Sequence, residues 1–187
     1  MISLTSTTTA LVLIDLQKGI LSMDAAPYPT AQVLETGRGL AGWFRAAGAS
    51  VVLVNVDFGP DFADAPNGLV DAPMPGDDDR PDDWSELADD LLEPGDLRVT
   101  KHQWGAFHGT DLDVKLRRRG IDTIVLGGIA TNLGVESTLR AGWEHGYNMI
   151  VVEDACTSVS QEMHEMAFTQ VFPRIARVAR AGELNFA

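Results

Sequence analysis

Near-continuous apolar runs recur along the chain and alternate with amphipathic stretches. Ala10–Leu16 (ALVLIDL), Ser50–Val56 (SVVLVNV) and Thr123–Gly127 (TIVLG) are rich in aliphatic and β-branched residues. Runs of this kind, without polar alternation, suit strands buried on both faces of a parallel sheet. Between the first two, Thr30–Ala47 places Val33, Leu34, Leu40, Trp43 and Phe44 roughly on one helical face, and Gly48 is a plausible stop. The rhythm resumes with a short strand at Leu97–Thr100 and a helix over Asp111–Arg119, closed by Gly120. A helix over Asn132–His145, capped by Thr131 or Asn132, follows. A strand at Asn148–Glu153, a helix at Gln161–Val171 and a last strand within Arg174–Arg180 complete the series. This alternation predicts an α/β protein: a Rossmann-like three-layer α/β/α fold around a central six-stranded parallel sheet.

Residues 57–95 break the pattern. Pro, Gly and Asp dominate there, with one short helical candidate at Trp84–Leu92. An irregular excursion of this length is usually functional, as a lid or an arm. No repeat and no linker divides the remainder, so 1–187 reads as a single domain with 57–95 as an acidic lid. A length of 187 residues, 45% of them hydrophobic, provides for a covered sheet.

The net charge of −13 changes this picture little, because it is local. Residues 57–96 hold 14 Asp/Glu and one Arg, whereas the rest holds 13 of each sign. The acidity therefore belongs to a solvated segment, and its sign argues against nucleic acid as a partner. Met1–Thr9 lacks the regions of a secretory signal, and no apolar run approaches the ~18 residues of a membrane span. A single cysteine, Cys156, rules out an internal disulfide. The expectation is a cytoplasmic protein with no membrane partner.

In doubly wound sheets, ligands bind beyond the carboxyl ends of the strands, where the strand order reverses. That rule selects Asp15 and Gln17, Asp57 and Phe58, Lys101, and the segment Gly127–Gly134. Asp15 ends an apolar run, where a carboxylate is costly unless paired, and Lys101 ends another strand within reach. The two form either a structural ion pair or a carboxyl group whose proton affinity is set by burial beside an ammonium. Gly127–Gly134 joins a strand to a helix, so it is either an ordinary tight turn or an anion site at a helix start.

Three stretches carry a resemblance. Leu13-Ile14-Asp15-Leu16-Gln17, then Val99-Thr100-Lys101 with Ala106-Phe107 and Thr110-Asp111-Leu112, then Gly128-Ile129-Ala130-Thr131-Asn132 resemble the signatures of the isochorismatase-like hydrolases, in family order. Glu153-Asp154-Ala155-Cys156 is a further similar stretch. The resemblance implies Asp15 and Lys101 as catalytic residues. Gly134 falls where the family's amidases carry a nucleophilic cysteine, and a glycine offers none. Cys156, one strand later, reads as a small buried apolar group.

Isochorismatases resemble this chain in having that glycine, and their vinyl-ether hydrolysis needs an acid and water only. The resemblance further implies substrate contacts from Gln17, Phe58, Trp104, Ala130, Thr131, Asn132 and Gly134. It also implies a cis Ile129–Ala130 bond that aims the Ala130 N–H toward the point addressed by the Gly134 N–H. Phe107 is either part of an apolar pocket wall or core. The cation that isochorismatases place near the lysine signature is missing from His102-Gln103-Trp104-Gly105, leaving Arg80 or Arg98 to serve.

No cofactor is expected. Asp57-Phe58-Gly59 lacks the histidine of the family's metal-dependent members, and His102 and His108 lack ligand spacing, so no metal is expected. His145 and His164 read as surface or packing residues. The partner is a small-molecule substrate. Self-association as a dimer or higher assembly is also implied, supported by the lid's apolar Phe58, Phe62, Leu69, Val70 and Met74. Three functions remain open: a cysteine-independent vinyl-ether hydrolase, an amide or ester hydrolase using water activated by Asp15, and a non-catalytic ligand-binding member.

Overall fold

Six strands pair side by side, all parallel, in the computed structural model, which describes residues 1–72 and 80–187. The chain runs β1 (Ile2–Leu4), β2 (Thr9–Ile14), α1 (Lys18–Leu21), α2 (Thr30–Ala46), β3 (Ser50–Val56), β4 (Leu97–Lys101) and α3 (Leu112–Arg117). It continues through β5 (Thr123–Ile129), α4 (Glu136–Glu144), β6 (Asn148–Thr157), α5 (Gln161–Met166), β7 (Arg177–Ala179) and β8 (Leu184–Phe186). The main sheet has the order β4-β3-β2-β5-β6-β7. β2 leads outward to β3 and β4, and the chain then returns to lay β5 on the other side of β2. The order reverses between β2 and β5, which places the crevice there.

Helices on both faces explain the apolar runs. Alternate residues of β2 enter different cores: Leu11 and Leu13 pack with Val33, Leu40 and Phe44 of α2. Val12 and Ile14 pack with Leu112 and Leu116 of α3, Leu139 of α4 and Phe172. Every residue of β2 is buried, so neither face tolerates a polar alternation. Ile14 pairs with both Val54 and Gly128, which brings the ends of β2, β3 and β5 level.

Several elements depart from the sequence reading. Trp84–Leu92 is a series of turns and not a helix. Its backbone bonds outward: Lys18 and Gly19 N–H donate to Glu86 and Trp84 carbonyls, and Ala88 N–H donates to Leu16 O. Neither Thr131 nor Asn132 caps a helix. Ala130 is the cap position, a π-helical turn spans Thr131–Val135, and α4 begins at Glu136. β6 runs four residues past Glu153, to Thr157. Arg174–Arg180 contains only the three-residue β7, after a 3₁₀ turn at Phe172–Arg174. β1 and β8 form a separate two-stranded parallel sheet that three-residue segments gave no means to foresee.

The lid is fastened at its far end. Arg45 binds Asp96 through two nitrogens at 3.2 and 2.6 Å, Glu93 at 2.7 Å and the Leu91 carbonyl at 2.7 Å. Lys18 pairs with Asp83, Glu86 and Asp89. Of the lid's apolar residues, Phe58 is buried and its ring lies tilted against Phe62, at 4.9 Å between ring centroids. Leu69 and Val70 are exposed, and Met74 lies outside the described residues. Among the described residues no helix is long and apolar enough to cross a membrane.

Candidate active site

Asp15 sits immediately past β2 with φ +54°, while its N–H still donates to Val54 O at 2.9 Å. The strand is thus held by β3 up to the residue at which it turns. Lys101, the last residue of β4, reaches across and donates from Nζ to Asp15 Oδ2 at 2.7 Å and to the Gln103 carbonyl at 3.1 Å. Both side chains are buried, at 7% and 2% exposure for Asp15 and Lys101. Asp15 Oδ1 has no hydrogen-bond partner among the described residues. Burial pushes the Asp15 carboxyl up to about 6 and outweighs the opposing pull of the Lys101 charge and hydrogen bond.

A cavity of about 560 Å³ opens over this pair. Asp15, Lys101, Ala130, Gly134, Phe58 and Trp104 line it, so six of the nine expected site residues come together. A Cβ built at Gly134 would lie 3.0 Å from Ile14 Cγ2, 3.2 Å from Asp15 Oδ2 and 3.4 Å from the Trp104 carbonyl. The bare glycine therefore leaves space directly beside the carboxyl. The Ile129–Ala130 peptide is cis. The Trp104 loop is tied to α4, since Ala106 N–H donates to Thr138 Oγ1 at 3.0 Å and that hydroxyl donates to Gly134 O at 2.7 Å.

The remaining wall is one that sequence reasoning largely missed. Ile20, Met23, Val56, Trp84 and Leu133 make it mostly apolar. Arg80 lines it as well, with its guanidinium 4.0 Å from the Phe62 ring centroid and 4.1 Å from that of Trp84. Of the two arginines considered, Arg98 turns elsewhere and donates to Asn55 Oδ1 at 3.2 Å. Phe107 is core, against His145 and Tyr147. Trp84 carried no usable signal, because its place in the wall depends on backbone bonds to residues 18 and 19, far away in sequence.

Three expected contact residues have other work. Gln17 is fully buried, donates to the Val56 and Trp84 carbonyls at 3.0 Å each and accepts from Val56 N–H at 2.7 Å. It braces the lid against β3 and does not line the cavity. Thr131 is buried with its hydroxyl 2.8 Å from His164 Nδ1. Asn132 accepts from the Ser158 hydroxyl and lies beside Met163. Their side chains are spent on holding the turn, so they correct the expectation of direct substrate contact. Cys156 is fully buried in β6, and burial pushes its thiol up.

Comparison with known proteins agrees with this arrangement. A family model described as the isochorismatase domain matches residues 9–183. YecD of Escherichia coli O157:H7, an isochorismatase family protein, is 47% identical over 98% of both chains. The structure of an isochorismatase family protein from Burkholderia thailandensis is 46% identical, with a TM-score of 0.92 over 97% of this chain and 95% of that one. The ureidoacrylate amidohydrolase RutB of Methylorubrum extorquens is 34% identical over 79% of this chain and 69% of its own.

Proposed function

The chain belongs to the isochorismatase family and is a hydrolase, and from that premise we propose that it hydrolyses a small carboxylated metabolite by vinyl-ether cleavage of the isochorismate type. One observation carries this reading: among the described residues lining the cavity there is no Ser, Thr or Cys, and the place beside the Asp15 carboxyl is a glycine. The wall therefore supplies no thiol or hydroxyl nucleophile of the kind a cysteine amidase uses. Vinyl-ether hydrolysis needs only an acid and a water.

In the proposed reaction Asp15 gives its proton to the terminal vinyl carbon, leaving an oxocarbenium ion. Water adds to the oxygen-bearing carbon of that ion and returns a proton to the carboxylate. The resulting hemiketal breaks its C–O bond, releasing an alcohol and pyruvate. Burial keeps Asp15 protonated to an unusually high pH for a carboxyl group, which suits a general acid. Lys101 holds Oδ2, which leaves Oδ1 without a hydrogen-bond partner among the described residues. The N–H groups of Ala130 and Gly134 dock a substrate oxygen at the start of the helix.

A second reading has its own support, since a relative at 34% identity is a ureidoacrylate amidohydrolase. There Asp15 acts as a base on water, and the product is ammonia. Purified protein incubated with isochorismate and, separately, with ureidoacrylate decides between them. Pyruvate from the first alone is the expected result. Ammonia from the second alone overturns the vinyl-ether reading, and neither product leaves binding as the function.

A further inference from the structure

Behind the cavity lies a second set of buried polar groups that the proposed chemistry does not use. His164 of α5 is 2% exposed. Its ring has the Tyr28 ring edge-on at 6.0 Å and lies near Phe168 at 4.6 Å. Nδ1 is 2.8 Å from the Thr131 hydroxyl. Nε2 lies 3.6 Å from Glu153 Oε1 and has no hydrogen-bond partner among the described residues. Glu153 is itself fixed, accepting from the Tyr28 hydroxyl at 2.7 Å and pairing with Arg180 at 2.6 Å.

We infer that His164 is a positioning residue which, through Thr131, fixes the turn presenting Ala130 and Gly134 to the substrate. The inference rests on the proposed anion site at that turn. Thr131 lies between the two donors, and its side chain leaves the cavity to meet His164. A carboxylate beside Nε2 favours the proton on that nitrogen, which leaves Nδ1 to accept from the Thr131 hydroxyl. Burial holds the ring's proton affinity down, so the neutral form that can accept is the one present at neutral pH. Asn132 continues the tether through Ser158 of the segment after β6 and Met163 of α5. The turn is thereby tied to two elements that make no contact with the cavity.

Amide hydrogen exchange on the full chain tests this without any substrate. His164→Phe keeps a ring among Tyr28 and Phe168 but removes the acceptor. Thr131→Val removes the hydroxyl from the other side, and serves if the first variant fails to fold. In both, exchange at residues 130–135 should rise about tenfold, as expected for one lost hydrogen bond, with β2 and β3 unchanged. His164→Asn, whose carbonyl can take the place of Nδ1, and Thr131→Ser should stay near wild type. On the substrate of the proposed reaction, KM should rise while kcat holds, because the turn docks a substrate oxygen that does not react. Unchanged exchange at 130–135 in Thr131→Val overturns the inference, as does acceleration spread evenly through the sheet. Failure of the wild type to turn over isochorismate would sink the proposed reaction while leaving the exchange comparison intact.

Discussion

At the scale of single residues, the Asp15 proton distinguishes the chemistries. If Asp15 is the acid, kcat/KM is level at low pH and falls about tenfold per unit above about 6, because the protonated fraction declines. A base would give the mirror image, falling below that value, so one pH–rate profile separates the two readings. Asp15→Asn should abolish turnover while circular dichroism stays native. The same shift has a stability consequence. Since the folded value lies above the ordinary 3.8, the contribution of Asp15 is fully present below 3.8 and is lost as pH rises through about 6. Thermal melts of wild type should therefore show a decline over that window that Asp15→Asn lacks. Cys156, buried and with its thiol proton held tightly, should be irrelevant to rate. Cys156→Ser should keep wild-type kcat, and iodoacetamide should leave the folded enzyme active; loss of activity without loss of melting temperature would reveal a thiol mechanism.

At the scale of elements, Gln17 joins three segments with one side chain. Gln17→Leu strands the Val56 N–H in a dry interior and takes one donor each from the Val56 and Trp84 carbonyls, of which Trp84 keeps the Gly19 N–H. A cost of about 2–4 kcal/mol in urea unfolding is expected, with the wall at Trp84 loosened. Gln17 also illustrates what could be read in advance. The apolar runs of β2, β3 and β5 declare themselves, and Ser50–Val56 matches its strand at both ends, because burial on two faces leaves no other pattern. Asp15 and Lys101 were legible because strand ends fix them, and Gly134 through the family resemblance. The direction of a side chain beyond a strand end is set by partners elsewhere, which is why Gln17, Thr131 and Asn132 were placed correctly in the chain and wrongly toward the ligand. Trp84–Leu92 looked helical because its leucines have helical spacing, but α1 and the end of β2 offered its backbone better partners.

At the scale of the whole molecule, the acidic lid is held down by cations of the body, among them Lys18, Arg38 and Arg45. Arg45 is a strong clamp, since its guanidinium engages Asp96 through two nitrogens and that carboxylate is 4% exposed. Arg45→Ala should free residues 91–96, seen as faster cleavage there by limited proteolysis, with the sheet's melting temperature lowered by no more than a few degrees. Equal cleavage in wild type and variant would assign the lid's anchorage to its aromatic contacts instead.

Gly128 of β5 lies against the Ile14 backbone of β2, where it has no room for a side chain. It has φ +127°, and a Cβ there would stand 2.1 Å from the Ile14 carbonyl. The β5–β6 register shifts around this position. No L-residue fits without prising β5 from β2 one step before Asp15. In a saturation library, position 128 should therefore return glycine alone among folded clones. Position 134, where the tightest neighbour is a side-chain methyl group at 3.0 Å, should admit alanine with impaired turnover. The spacing between acid and anion turn is in this sense encoded in a residue that never meets the substrate, and the tolerance map of the gene would show the constraint before any assay did.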